Sequence, residues 1–194
     1  MARSMDGDTP RHGDTPRSGD TPRSADGRLR AGDGNVRSDS YWIAHARGRC
    51  GRCRAPIELI GLALPPQHQS LMLDCGPGRD AHVGYVWESA PCSAFLFYVE
   101  HLPDSVRRRL EASSPQYRFA FSDVTLGCYW ANHCASCEAL LDDHDLFCEP
   151  DGAFLPTSPS SASAIRLVRV EEAFEAAAVG YACEPQFIES MVEG

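Results

Sequence analysis

Two short cysteine motifs place the strongest constraint on how this chain folds. Cys50-Gly-Arg-Cys53 and Cys134-Ala-Ser-Cys137 each leave two residues between their cysteines. This spacing lets one tight turn aim both sulfurs at a single ion, and two such turns complete the closed tetrahedral shell of a structural zinc site. Because about 80 residues separate the two pairs, the intervening chain has to bring them together. The sequence therefore predicts one structural Zn²⁺ ion bound by Cys50, Cys53, Cys134 and Cys137.

Other assignments of these cysteines stay open at this point. Cys128, His133 and Cys148 lie near the second pair, and each is a possible substitute ligand in a mixed zinc site. Four thiolates also suit iron, although the spacing argues against it. A CxxC pair can be a redox centre where a helix N-terminus lowers the thiol pKa, but Cys50 precedes a predicted strand. The nine cysteines are an odd number, which excludes complete pairing as disulfides.

The first forty residues differ in composition from the rest of the chain. The sequence GDTPR occurs at Gly7–Arg11, Gly13–Arg17 and Gly19–Arg23, and the segment has almost no aliphatic residues. Such a segment cannot offset its ordering entropy, so we predict a disordered tail over residues 1–40 and a single zinc-binding domain over residues 41–194. The start of the chain lacks the apolar stretch of a secretory signal. No apolar run reaches about 18 residues, which favours a cytoplasmic protein without a membrane partner.

The distribution of charge bears on the partner. The net charge is −9, which disfavours a general nucleic-acid-binding protein, because contacts to phosphates require surplus positive charge. Four arginines nevertheless surround the first cysteine pair, at Arg47, Arg49, Arg52 and Arg54. They either reduce the negative charge of a four-thiolate site or form a contact surface for an anion or a nucleic acid. We therefore expect a protein partner, with nucleic acid as the alternative.

The coarse pattern predicts an α+β fold: a small, mainly antiparallel β domain with one or two short helices, stapled by a zinc-ribbon-like site of four cysteines. Strands or extended segments are predicted at residues 57–64, 83–88, 95–100, 119–121, 165–170 and 174–183. A helix is predicted between Pro103 and Pro115, because proline favours the first helical position and Val106 and Leu110 are about one turn apart. Residues 185–192 predict a short terminal helix.

Part of the sequence resembles a family of uncharacterised bacterial zinc-ribbon-like proteins. The resemblance covers most of residues 41–190 and depends on two motifs together with the Cys50–Cys53 pair. The motifs are Tyr129-Trp-Ala-Asn-His-Cys-Ala-Ser-Cys137 and Glu149-Pro-Asp-Gly-Ala-Phe-Leu-Pro156. The resemblance implies zinc and a fold, but no activity. It also implies glycines where this chain has Glu138 and Asp142, which predicts a distorted second cysteine turn.

The remaining motifs favour a binding protein over an enzyme. The acidic segment at residues 142–145 offers ligands for a second metal, but adjacent side chains point in different directions, so we predict a solvated turn. The sequence has no HExxH motif, no GxSxG elbow and no P-loop. Trp130 is expected to pack on the second cysteine pair. We therefore predict a non-catalytic zinc-binding protein that binds a protein partner, with a nucleic-acid-binding protein and a thiol switch that releases zinc on oxidation as alternatives.

Overall fold

The computed structural model describes residues 34–75, 83–183 and 187–194. Residues 1–33 of the tail predicted over residues 1–40 lie outside the described residues. The strands are β1 (Val36–Ser38), β2 (Tyr41–Arg49), β3 (Pro56–Leu64), β4 (Gln69–Cys75), β5 (Val83–Ser89), β6 (Ala94–His101), β7 (Tyr117–Ser122), β8 (Gly127–His133), β9 (Leu140–Leu141), β10 (Arg166–Val170), β11 (Phe174–Cys183) and β12 (Val192–Glu193). The helices are α1 (Asp104–Ser113), α2 (Asp143–Phe147) and α3 (Pro159–Ala162), and a 3₁₀ turn spans Ile188–Ser190.

The described strands form a 12-stranded sheet in which nearly every pairing is antiparallel. Hydrogen-bonded neighbours follow the order β12-β10-β2-β3-β6-β11-β1-β4-β5. Strand β8 pairs with β6 and also with β7 and β9. The only parallel pair among the described strands is β10 with β12. The predicted α+β class with mainly antiparallel strands is therefore confirmed. The number of strands exceeds that of the small domain we expected.

Strand β6 is a fork in this sheet, because β3 and β8 share one of its edges. The first residues of β6 pair with β3, with Leu96 opposite Leu62, and Val99 further along pairs with Trp130 of β8. The opposite edge of β6 is paired along its length with β11. The two strands next to the cysteine motifs, β3 and β8, are thus positioned by the same central strand.

The buried apolar side chains form two clusters. One cluster packs α1 against the sheet through Val106 and Leu110, which are both fully buried, as their spacing predicts. The other cluster contains Cys50 and Cys134 together with the aromatic rings of Phe95, Phe147 and Phe154. Fully burying an aliphatic or phenylalanine side chain contributes about 1.5–3 kcal/mol, so both clusters stabilise the described fold.

The structure corrects two predicted boundaries. Residues 36–38, which we assigned to the tail, form β1, because Val36 is fully buried between β11 and β4. Of the terminal helix predicted over residues 185–192, the described part from residue 187 is instead a 3₁₀ turn at Ile188–Ser190 followed by β12. The other predicted strands and the helix lie within about two residues of their expected positions. None of the described helices is both long and apolar enough to cross a lipid bilayer.

Candidate metal centre

Each cysteine pair lies at the tip of an antiparallel hairpin. Cys50 follows β2 directly, and the chain turns through Cys53 into β3, with Arg49 opposite Pro56. The second pair follows β8 in the same way, with His133 opposite Leu140 of β9. Because β3 and β8 both attach to β6, the two hairpin tips meet although their sequences are far apart.

The four cysteine sulfurs form one compact group. The Sγ atoms of Cys50, Cys53, Cys134 and Cys137 all lie within 4.8 Å of one another, and this is the one group of metal-ligating side chains found among the described residues. The Sγ atoms of Cys50 and Cys137 are 3.7 Å apart, and those of Cys53 and Cys134 are 3.6 Å apart. Four sulfurs about 2.3 Å from a common centre in a tetrahedron are separated by about 3.8 Å. The donor set and its spacing therefore fit a tetrahedral divalent ion such as Zn²⁺.

The backbone of the two turns is nearly the same. The N–H of Arg54 donates to the carbonyl of Cys50, and the N–H of Glu138 donates to the carbonyl of Cys134, each over 2.9 Å. Arg54 and Glu138 have φ angles of 64° and 57°, in the left-handed region that favours glycine. The distortion predicted from the missing glycine at Glu138 is therefore wrong. The side chain of Glu138 also accepts a hydrogen bond from Arg118 over 2.6 Å.

Backbone N–H groups inside the turns favour thiolates. The N–H of Cys53 lowers the pKa of Cys50 to about 6, despite the opposing effect of burial. The N–H of Ser136 lies 3.4 Å from the Sγ atom of Cys134 and lowers the pKa of that thiol. At Cys137 the N–H of Ala139 lowers the pKa, but burial and the neighbouring sulfurs raise it to about 12. The turns thus favour the thiolates of Cys50 and Cys134, whereas the surroundings of Cys137 disfavour its thiolate.

The side chain of Asn132 connects the strands of the two turns where the sheet forks. Its Oδ1 accepts the N–H of Ile60 over 2.8 Å, and its Nδ2 donates to the carbonyl of Ile60 over 2.9 Å. Continuing the β3–β6 register would place Tyr98 opposite Ile60. Tyr98 instead has a φ of 51°, and β6 turns away. The amide of Asn132 therefore supplies the hydrogen bonds that a continued strand would have made.

The Glu149–Pro156 motif positions an aromatic ring in the buried cluster that contains Cys50 and Cys134. A Cβ atom at Gly152 would lie 2.6 Å from the carbonyl oxygen of Asp145, so only glycine fits this close approach to α2. Phe154 is then buried and stacks on Phe147 with ring centroids 4.7 Å apart. The motif is thus explained by packing within the cluster that contains Cys50 and Cys134.

The structure separates the other candidate ligands from the cysteine group. Cys128 and Cys148 are exposed, and neither belongs to the group. His133 is buried, and its Nδ1 lies 3.0 Å from the carbonyl oxygen of Ala131. Trp130, which we expected on the second pair, instead packs against Tyr117 and Phe119. The indole that shares a cluster with Cys50 and Cys134 is Trp42, a contact that no local sequence signal indicates.

The four arginines near the first pair are all exposed or partly exposed, at Arg47, Arg49, Arg52 and Arg54. The Nη1 of Arg49 donates to the carbonyl of Arg54 over 3.3 Å. Among the hydrogen bonds of the described residues, no arginine side chain donates to a sulfur. The sulfurs instead accept hydrogen bonds from the backbone of the turns, including the N–H of Arg52 at Cys50.

A buried acid lies where the sequence predicts a solvated turn. Asp142 caps α2 by accepting the N–H of His144, and it accepts hydrogen bonds from the phenols of Tyr98 and Tyr129. Asp143 is 2% exposed, and its Oδ2 accepts the N–H of Tyr98 over 2.6 Å. Burial raises the pKa of Asp143 to about 7, although the Tyr98 N–H opposes the rise. The prediction of a solvated turn is therefore wrong for Asp143, which accepts the backbone donor left by the fork.

Comparisons with known proteins do not add a relative. No family model, curated protein or solved structure matches the chain. The resemblance to zinc-ribbon-like proteins therefore stays a prediction.

Proposed function

We propose that this protein binds one structural Zn²⁺ ion and acts as a non-catalytic module that binds another protein. The observation that carries the proposal is the group of four sulfurs within 4.8 Å at two matched hairpin tips. Four protein thiolates fill the coordination shell of zinc, which leaves no position for a water or a substrate. Such a site stabilises the arrangement of the two hairpins and does not itself carry out a reaction.

A structural ion has a large effect in this position. Cys53 and Cys134, whose sulfurs are in contact, are 81 residues apart in the sequence, and Cys50 and Cys137 are 87 residues apart. The ion would therefore cross-link distant parts of the chain. Structural zinc sites contribute on the order of 10 kcal/mol or more, which is comparable with the whole stability of a domain. We therefore expect the folded state to depend on the metal.

The metal assignment is tested by elemental analysis of the full chain, purified without added metal. We expect about one zinc per chain in the parent protein. The double variant Cys134→Ser with Cys137→Ser should lose the metal and the folded state. The matched control is Cys128→Ser with Cys148→Ser, which removes two exposed thiols outside the group and should retain one zinc. A well-folded parent chain without metal would contradict the proposal.

The surface beside the first turn favours a protein partner over nucleic acid. Arg47 and Arg49 line a cavity of about 300 Å³ together with Asp142, Asp145 and Asp151. This mixture of charges suits a protein surface, whereas a nucleic-acid backbone would meet the three carboxylates. Large exposed apolar side chains also lie on the β7–β8 hairpin, which is typical of protein interfaces.

Nucleic-acid binding is the second candidate, because all four arginines near the first turn reach the surface. If these arginines contact phosphates, affinity for a nucleic-acid probe should decrease steeply as salt increases. The double variant Arg49→Ala with Arg52→Ala should weaken binding and flatten the salt dependence. Absence of binding at low salt would exclude this candidate while leaving the metal site untouched.

A further inference from the structure

The β7–β8 hairpin presents an apolar face that no described element covers. Phe119 and Phe121 on β7 are 50% and 56% exposed, and Val124 and Leu126 in the connecting turn are 79% and 77% exposed. On β8, the exposed Cys128 lies opposite Phe121. A group of exposed apolar side chains of this kind marks an interaction surface more often than a solvated one.

The outer edge of β7 is also free to form hydrogen bonds. Among the described strands, β7 pairs only with β8. The N–H of His133 donates to the carbonyl of Gln116, which fixes the alternation of hydrogen-bonding direction along β7. Even-numbered residues such as Ala120 therefore direct their backbone polar groups towards β8, while Phe119 and Phe121 direct theirs outwards. Two N–H and two carbonyl groups thus face away from the sheet.

We propose that β7 pairs in an antiparallel direction with β7 of a second copy of this chain, about a two-fold axis at Ala120. The inference deepens the proposed interaction role by naming the partner, and it rests on the hairpin rather than on the metal. Self-pairing of this kind is an isologous interface, in which the same surface serves both copies. It also covers an edge that natural proteins otherwise protect.

The register follows from the residues of β7. An axis at Ala120 places Phe119 opposite Phe121 of the second copy, and both residues have outward backbone groups, so four hydrogen bonds form. A shift of one residue would set outward groups against inward ones and form no ladder. An axis at Phe119 would pair Phe121 with Tyr117 of the second copy, whose N–H already donates to Ser114. The Ala120 axis is therefore the register that satisfies all four outward N–H and carbonyl groups of both phenylalanines.

The side chains fit the same register. Residues directly opposite each other in an antiparallel pair project to one face, so Phe119 and Phe121 of both copies form a single aromatic row. On the other face Ala120 meets its own counterpart at a non-hydrogen-bonded position, where the Cα atoms approach to about 4.5 Å and a small residue fits. Arg118 lies opposite Ser122 of the second copy, so no like charges meet. The side chains of β7 are thus compatible with self-pairing in this register.

The expected strength of the dimer follows from its size. A phenylalanine contributes roughly 150–250 Å² when fully buried, and these rings are already about half covered, so the interface is smaller than a standard one. We therefore expect a reversible dimer with a dissociation constant on the order of micromolar.

Sedimentation of the full metal-loaded chain over a range of concentrations tests the dimer. We expect monomer and dimer to exchange in the micromolar range, and the double variant Phe119→Lys with Phe121→Lys to remain monomeric. The control Val179→Lys places a charge at another exposed strand position, 69% exposed on β11, and should dimerise like the parent. A parent chain that stays monomeric up to millimolar concentration would overturn the inference. If that monomer retains one zinc per chain, the proposed metal site still stands.

Disulfide cross-linking tests the register itself in a Cys128→Ser background. Ala120→Cys places two thiols at the two-fold axis, at a Cα separation that a disulfide can bridge. Arg118→Cys is the matched control, because it lies on the same face but opposite Ser122 of the second copy. We expect oxidation to give a covalent dimer at least tenfold faster for Ala120→Cys. Equal rates, or faster cross-linking of Arg118→Cys, would refute the Ala120 axis.

Discussion

The buried carboxyl group of Asp143 should make the stability of the fold depend on pH in a way that one substitution removes. In Asp143→Asn the side-chain carbonyl still accepts the N–H of Tyr98, as the Oδ2 atom does in the parent. The amide cannot ionise, and its Nδ2 takes the place of the Oδ1 atom, which is buried without a hydrogen-bond partner. A comparison of the two proteins therefore isolates the cost of the buried charge.

The magnitude follows from the two pKa values. The pKa of Asp143 rises from an ordinary 3.8 to about 7 because the carboxyl group is buried. The folded state therefore keeps a proton that the unfolded state releases, and the free energy of unfolding decreases by about 1.4 kcal/mol per pH unit between these values. The contribution of the protonated Asp143 carboxyl group to the free energy of unfolding is complete below pH 3.8, and it is lost as the pH rises through about 7. Between pH 5 and pH 8 the parent should lose about 2–3 kcal/mol relative to Asp143→Asn.

The assay is urea unfolding of metal-saturated protein at pH 5, 6, 7 and 8, followed by circular dichroism. Both proteins keep the same cysteines, so the pH dependence of metal binding cancels in the difference. Asp145→Asn, which removes an exposed carboxylate of the same helix, is the control and should track the parent. If Asp143→Asn and the parent show the same dependence on pH, a buried and protonated Asp143 is refuted.

Three further outcomes follow from the site. Asn132→Ala should lower the free energy of unfolding by about 2–5 kcal/mol, because the backbone N–H and carbonyl of Ile60 both lose a buried partner. Chemical denaturation measures this loss, and a value below about 1 kcal/mol would show that water replaces the amide. Gly152→Ala should lower the free energy of unfolding by about 1–3 kcal/mol, since the added Cβ would lie 2.6 Å from the carbonyl oxygen of Asp145. An unchanged melting temperature would disprove that contact. Removal of metal by a strong chelator should abolish the near-ultraviolet circular dichroism of the parent, and restored zinc should recover it; a spectrum unaffected by confirmed metal loss would exclude a structural ion.

Local patterns predicted the parts of the molecule that depend on neighbouring residues. The strands β3, β6, β10 and β11 have long apolar or alternating segments, and the four clustered cysteines carry their signal in a two-residue spacing. Strand β2 was missed because it is covered on both faces, so its first four residues are all buried and do not alternate. The left-handed conformations of Arg54 and Glu138 were also missed, since hydrogen bonds within each cysteine turn hold residues that disfavour them.

The remaining errors concern contacts between distant segments. The burial of Asp143 depends on the fork of the sheet at Tyr98, which lies 45 residues away in the sequence. The role of Asn132 likewise depends on Ile60, 72 residues away. Neither separation leaves a local signal in the sequence, so the acidic residues were predicted to form a solvated turn and the sequence predicted no role for Asn132.

The distance along the chain between the two cysteine pairs has a consequence for the timing of synthesis. Cys53 and Cys134 are 81 residues apart, and a ribosome adds about 5–20 residues per second. The first pair therefore emerges roughly 4–16 seconds before the second, and until then it can offer an ion only two of four sulfurs. A nascent chain that stalls between them would therefore offer a proposed zinc ion an incomplete coordination shell. If the four thiols bind an ion as proposed, its capture marks the moment at which both hairpins have been made and have docked on β6.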